Sequence, residues 1–296
     1  MSYLIGIDLG GSSIKALVAT SQGERLDVKN RSFDQEESQD WAREIRSLVE
    51  DIESEQGTPA AGLGLSAPGL VDSKGRSIRN MPGRLEGLVG LDWTTYLQRD
   101  HVVPVSNDAQ SALAGEAWVG AVKDIDNVVF LTLGTGVGGA AKVDGNILRG
   151  AIGRAGHLGH ICLDPSGAPD ICRTPGSLEL AIGNCTIRER TGNRFGTTHE
   201  LVDSVRAGDS EACRLWAETI RNLACGLVSL INVLDPEVIV IGGGIARADE
   251  LLFNPLRDRL DELEWIVPGS PRVSVRAAQL GEWAGAYGAA YSALAS

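Results

Sequence analysis

The chain opens on a β-rich alternation over Tyr3–Asp8 and repeats it over Ile14–Thr20, with the tight turn Gly10-Gly11-Ser12-Ser13 between them. Period-two alternation around a glycine turn predicts a β-hairpin. Gln22-Gly23 turns the chain into a third strand over Arg25–Phe33. The period then changes. Trp41, Ile45, Leu48, Val49 and Ile52 recur at helical spacing within Glu37–Gln56, the buried stripe of a surface helix. Ala61–Ser66 predicts a strand, broken by Ala67-Pro68-Gly69. Residues 70–91 keep no period and are rich in Gly, Pro and Asn. A loop of that length inside a compact domain usually binds something. Asp92 caps a short helix through Leu97, and Val102, Val103 and Val105 predict a strand over 102–106. Small and apolar residues on one face (Ala109, Ala112, Leu113, Ala117) then predict a helix.

The second half repeats the opening design. Asn127–Leu133 is an apolar strand, Gly134-Thr135-Gly136-Val137-Gly138-Gly139 a glycine turn, and Ala140–Val143 a second strand closed by Asp144-Gly145. The two halves read as duplicated hairpins, although their sequences are only slightly similar. Helices follow over His199–Ala207, Ser210–Leu234, 249–262 and 283–294, with strands at Val238–Ile241 and Arg272–Arg276. The terminal helix carries small residues (Ala284, Gly288, Ala289) that imply close packing on a neighbour. We therefore expect an α/β protein of two domains. Residues 1–122 form one, with 283–296 packing back on it, and 123–282 the other.

Composition narrows the function. The chain has 296 residues, 43% hydrophobic and 22% charged, ample for a two-domain core. Its net charge of −12 with no basic cluster argues against nonspecific nucleic-acid or anionic-membrane binding. An anionic ligand would need backbone amides, a few local cations or a metal. Five cysteines form no CxxC pair, which predicts reduced thiols in a cytoplasmic protein. The chain begins directly on a strand pattern, without a leader-like segment, and no run is expected to span a membrane.

The candidate chemistry sits at strand ends. Asn107-Asp108 closes one strand before a helix; the pair serves equally as an ordinary helix cap or as the delivery of a catalytic base, Asp108. Gly10-Gly11 is either a plain hairpin turn or a bare-amide cradle for phosphate, with Ser12 adding a hydroxyl. In the second case Asp8 faces a phosphate-bound Mg²⁺ through water, and Lys15 is a nearby cation. Asn80 suits a sugar hydroxyl or an Asx turn before Pro82. His157 and His160 share the glycine-rich loop 150–164 and read together as site residues. Ser177 caps a helix in which Glu179 is a first-turn acid. Gly242-Gly243-Gly244 is a third glycine turn, suited to adenine or ribose or simply to a strand–helix connection.

In order, IGIDLGGSSIK (5–15), SAPG (66–69), SNDA (106–109), LGTGVGG (133–139), GHLGH (156–160) and IGGGIA (241–246) span nearly the whole chain. The set resembles the ROK family of sugar kinases (repressor, open reading frame, kinase) in the actin-like ATPase superfamily. The resemblance implies two RNase H-like α/β domains closing over a central cleft and an ATP-dependent kinase acting on a hexose, as a homodimer. It implies Mg-ATP at Asp8, Gly10, Gly11, Ser12, Lys15, Gly134, Thr135 and Gly136, with Gly243 and Gly244 near the adenosine. It implies a sugar held by Gly69, Asn80, Asn107, Asp108, His160 and Glu179, with Asp108 as base. Two departures stand out. His157 replaces the family's glutamate that contacts a sugar hydroxyl, a version resembling the N-acetylmannosamine kinase branch. The family's zinc motif, CxCGxxGCxE, aligns with 170–179, where only Cys172 of three cysteines remains. With His160 and Asp170 that falls short of a closed four-ligand site, so no structural zinc is expected. The added N-terminal helix-turn-helix of the repressor members has no room before Tyr3. A sugar- or nucleotide-sensing protein without catalysis is the remaining reading of another class.

Overall fold

A computed structural model describes residues 2–81 and 83–295 and divides them into two compact units. The first unit holds the described residues up to Asp124, together with Arg149–Ala155 and the chain from Gln279 onward. Its strands are β1 (Leu4–Leu9), β2 (Ser13–Ala19), β3 (Arg25–Ser32), β4 (Gly62–Ala67) and β7 (Val105–Asn107), in the order β3-β2-β1-β4-β7. The first three are antiparallel and β1, β4 and β7 run parallel. A small hairpin, β5 (Leu70–Val71) and β6 (Ile78–Asn80), stands apart.

Helix α1 (Asp40–Gln56) buries the stripe the pattern marks, Trp41 through Ile52, on one face of the sheet. It stops at Gly57, whose φ of 70° no residue with a Cβ adopts as cheaply. Helix α2 (Trp93–Tyr96) is capped by the Asp92 carboxylate. Helix α3 (Asp108–Val119) has almost no polar face, because it lies under the last helix of the chain, α9 (Ala284–Ser292). Glycines let these backbones approach. A Cβ on Gly288 would overlap the Ser111 carbonyl, and one on Gly6 or Gly64 would overlap the Ala286 or Ala289 carbonyl. Glu116 of α3 is fully buried; its Oε1 accepts from the Gln279 and Leu280 amides at 2.8 Å and its Oε2 from the Ala121 amide at 2.7 Å. Three amides thus satisfy a buried carboxylate and tie the returning chain to α3.

The second unit, Ile125–Leu148 and Gly156–Ala278, repeats the arrangement. Strands β8 (Val128–Leu133), β9 (Val137–Val143), β10 (Asn146–Ile147), β11 (Val238–Gly242) and β12 (Ser274–Ala277) lie in the order β10-β9-β8-β11-β12, with β8, β11 and β12 parallel. Short helices α4 (Leu178–Ile182) and α5 (Ile187–Arg190) precede α6 (Thr198–Arg206), α7 (Ser210–Leu234) and α8 (Glu250–Leu263). Their apolar faces close a separate core around Val129, Leu131, Leu223, Leu227 and Ile239.

Several expectations are corrected. Residues 70–91 are not wholly irregular, since β5 and β6 pair within them. The strand expected over 102–106 starts only at Val105: Pro104 has no amide to donate and contributes its carbonyl to Leu65. Gly138 and Gly139 belong to β9 rather than to the turn, and a Cβ on Gly139 would meet the Gly156 carbonyl at 2.9 Å. Residues 149–155 and 279–282 lie with the first unit, not the second. Gln110 donates to the Ala155 carbonyl at 3.4 Å, and Glu116 holds Gln279 and Leu280. Helix α7 is long and apolar enough, by length and composition alone, to cross a membrane. Its Trp216–Ile231 face lines the second core while Arg214, Glu218 and Arg221 are exposed, the pattern of an amphipathic core helix.

Candidate active site

In the first unit the carboxyl ends of β1, β4 and β7 bring the candidate chemistry together, the end of a parallel sheet where ligands bind. Asp8 pairs in register with Ser66, and the Ser66 hydroxyl donates to Asp8 Oδ1 at 2.7 Å. Burial, helped by the charge of Asp108, pushes the Asp8 carboxyl up to about 6, against the Ser66 hydrogen bond and Lys15. Space for this carboxylate exists because Gly285 in the first turn of α9 has no side chain; a Cβ there would lie 2.6 Å from Asp8 Oδ1. Lys15 is engaged by Glu282 at 3.2 Å. The Gly10-Gly11 turn is closed by the Gly10 amide donating to the Ser13 carbonyl at 2.9 Å, and Gly11 and Ser12 are exposed.

Asn107, not Asp108, caps α3: its Oδ1 accepts from the Ala109 and Gln110 amides. Asp108 follows in the first helical turn, exposed, with its own Oδ1 accepting from the Ala109 amide at 2.8 Å. The Asn107 amide nitrogen donates to the Gly69 carbonyl at 3.0 Å. Gly69 has a φ of 107°, and a Cβ there would strike the Asn80 carbonyl at 2.6 Å, so Gly69, Asn80 and Asn107 are neighbours. The Asn80 side chain is exposed. A cavity of about 190 Å³ is lined by Asp8, Gly10, Gly11, Asp108 and Arg84. Paired carboxylates beside bare glycine amides suit a divalent cation and a phosphate chain.

In the second unit two glycine turns adjoin at the ends of parallel strands. The Gly134 amide donates to the Gly136 carbonyl at 3.0 Å, while the Gly134 and Thr135 carbonyls accept from Asn184 and Cys185. Gly243, at φ 88°, lies against Leu133, immediately before that turn; a Cβ there would sit 2.7 Å from the Leu133 amide. Gly244 shares a second cavity with Thr198, His199, Arg206 and Arg247. Glu179 serves the turn directly: its Oε2 accepts from the Val137 amide at 2.9 Å and lies where a Cβ on Gly136 would be. His157, half-buried, precedes a one-turn 3-10 helix, Leu158–His160.

His160 Nδ1 lies 2.7 Å from Asp170 Oδ2, and Asp170 Oδ1 accepts from the Cys172 and Thr174 amides at 2.8 and 2.9 Å. Burial alone would raise the Asp170 carboxyl, but His160, Thr174 and Ser177 together hold it below the ordinary range. With Asp170 accepting the Nδ1 proton, Nε2 is the acceptor of a neutral His160. The donor atoms of His160, Asp170 and Cys172 lie within 4.8 Å of one another. They do not fit a structural zinc. Among the described residues they are three donors rather than four, and both Asp170 oxygens are already engaged by His160 and by the Cys172 and Thr174 amides.

The sequence pattern passed over Ser66, Arg84, Glu282 and Gly285. Ser66 lies within the SAPG motif. Arg84 lies in the loop singled out for binding, but nothing in its spacing marks it. Glu282 and Gly285 reach the site only through the return of α9.

The ROK family model matches residues 4–296. A glucokinase from Thermotoga maritima is 30% identical over 97% of this chain and 96% of its own. Among solved structures, the ROK hexokinase from Thermus thermophilus is 32% identical with a TM-score of 0.87, covering 99% of this chain and 98% of that one. A ROK family glucokinase from Streptomyces griseus, in complex with glucose and AMPPNP, is 26% identical with a TM-score of 0.79 over 100% of both chains. The fold is that of the actin-like ATPases. The chain belongs to the ROK family.

Proposed function

We propose that this protein transfers the γ-phosphoryl group of ATP to a hydroxyl of a hexose, the 6-hydroxyl of a glucose-like sugar. The observation that carries the reading is the placement of Asp108. Asp108, exposed at the start of α3, opens onto the same cavity as Asp8 and the Gly10-Gly11 turn. Similarity to glucokinases that cover nearly the whole chain supports it.

In this reading Asp108 accepts the proton of the sugar hydroxyl as its oxygen attacks the γ-phosphorus; the bond to the β–γ bridging oxygen breaks and ADP leaves. Gly69, Asn80 and Asn107 orient the sugar from the first unit, and His157, His160 and Glu179 are the second unit's candidates. Gly10, Gly11 and Ser12 receive phosphate oxygens. In the second unit Gly134, Thr135 and Gly136 do the same, with Gly243 and Gly244 beside the adenosine. Asp8 would hold Mg²⁺ through water; the ion would offset phosphate charge. Lys15, paired with the exposed Glu282, tempers the field at Asp8 and is a further candidate cation for the phosphates. We infer a cytoplasmic homodimer without structural zinc.

A second reading, N-acetylmannosamine as the substrate, is favoured by His157 alone. The test is ADP release at fixed Mg-ATP across glucose, mannose, fructose, allose, N-acetylglucosamine, N-acetylmannosamine and no sugar. One sugar is expected to dominate. Asp108→Ala should lower turnover by about 1,000-fold with modest change in sugar affinity. A dominant N-acetylmannosamine signal selects the second reading. Retained turnover in the variant removes Asp108 as base. No sugar-dependent release, with ATP and sugar still bound, leaves a sensor.

A further inference from the structure

The first unit's cavity contains one cation that the reading above does not use. Arg84 lines it with Asp8 and Asp108. Its guanidinium stands against the bare phosphate turn, Nη1 lying 3.2 Å from where a Cβ on Gly11 would be. Among the described residues no hydrogen bond or ion pair engages that guanidinium, whereas Lys15 is paired with the exposed Glu282.

The loop aims this side chain at a cost. Leu85, the next residue, has a φ of 54°, a conformation that branched L-residues avoid. Leu85 and Met81 pack against the first core from either side of Arg84, and Leu88 is fully buried. The Leu88 amide donates to the Leu85 carbonyl at 3.0 Å and the Gly90 amide to the Ile78 carbonyl at 2.9 Å. Backbone strain next to an unpaired cation that opens on a site is the pattern of a positioned functional group. The same loop follows directly on Asn80, the candidate for the sugar.

We propose that Arg84 is a catalytic cation that binds the equatorial oxygens of the phosphoryl group in flight, supplied from the sugar-binding loop. This rests on the kinase reading above. The guanidinium gains and loses no proton: the hydroxyl proton goes to Asp108, the P–O bond forms to the sugar, and the electron pair of the broken bond leaves with ADP. Its fixed fork meets two phosphoryl oxygens at once, which a lysine's point charge does not.

The experiment compares wild type, Arg84→Ala and Arg84→Lys with the best sugar of the panel. It reads kcat, KM for each substrate, thermal midpoint, and binding of Mg·ADP with and without aluminium fluoride in the presence of sugar. Arg84→Ala should lose about 100-fold or more in kcat. KM for sugar, Mg·ADP affinity and the thermal midpoint should stay near wild type. Binding of the aluminium fluoride complex, a mimic of the phosphoryl in flight, should weaken by a comparable factor. Arg84→Lys should recover only part of the loss. A kcat within threefold of wild type overturns the proposal. So does a loss confined to KM for sugar, which makes Arg84 a sugar contact, or one accompanied by a fall in Mg·ADP affinity or midpoint, which makes it structural. A wild type without sugar-dependent turnover fails the kinase reading itself, before any variant is compared, and takes this proposal with it.

Discussion

Asp8 shows what one residue gives up to serve a site. An aspartate in the unfolded chain loses its proton near pH 4, whereas Asp8 in the folded unit keeps its own to about 6, chiefly because it is buried and secondarily because Asp108 is near. Between those values the native state binds the extra proton. Stability therefore falls as pH rises from about 4 to about 6 and stays reduced above, by about 2–3 kcal/mol. Asp8→Asn keeps an oxygen for the Ser66 hydroxyl and removes the charge. The ligand-free variant should be more stable than wild type at pH 7.5 by about that amount, and the gap should close toward pH 4.5. Urea midpoints at the two pH values measure it. A wild type equal to the variant at pH 7.5 would mean that Ser66 and Lys15 already compensate the buried charge. Turnover should move the opposite way, since the variant lacks the carboxylate proposed to hold Mg²⁺ through water.

At the scale of elements, glycine does two different jobs that the sequence does not separate. Gly288 lets α9 cross α3, and a methyl there would overlap the Ser111 carbonyl, backbone that cannot step aside. Gly288→Ala should cost about 3 kcal/mol, read as a lower urea midpoint. Gly134 is the converse: nothing lies within 4 Å of a Cβ placed on it, and its φ is not positive. Gly134→Ala should leave the midpoint within about 1 kcal/mol. It should still raise KM for ATP about tenfold, because the added methyl stands in the open space where a phosphate chain would approach the turn. If Gly134→Ala leaves KM unchanged, the turn does not bind phosphate. The contrast also shows how far residue order alone reaches. Local signals were readable: the α1 stripe, the Ser177 cap, the glycine turns, the Asn107-Asp108 junction. Pro104 could have marked the late start of β7. What was not readable is what distant chain brings together. Ser66 on Asp8, Gly285 beneath it, Gln279 on Glu116 and Asp170 on His160 are each fixed by packing of segments whose spacing carries no period. Arg84 belongs here too, because its role depends on Leu85 adopting a conformation that propensity argues against.

The whole molecule repeats one sheet order in two units, β3-β2-β1-β4-β7 and β10-β9-β8-β11-β12, and places its glycine turns at corresponding strand ends. It does so on a chain of net charge −12. A substrate such as Mg·ATP is itself an anion, so the long-range field opposes its approach while Arg84, in the first unit's cavity, favours it close to. Salt separates the two ranges. Between about 0.01 and 0.15 M the screening length contracts from about 30 to about 8 Å, which removes the repulsion of the distant surface and leaves contacts within the cavities largely intact. kcat/KM for Mg·ATP should therefore rise, by about twofold, over that interval at constant free Mg²⁺, while the value for an uncharged hexose should not change. Steady-state kinetics with both substrates in a sodium chloride series would decide it. A fall for Mg·ATP would show that local cations already govern the encounter at long range, and the Arg84→Ala variant should then lose that salt dependence.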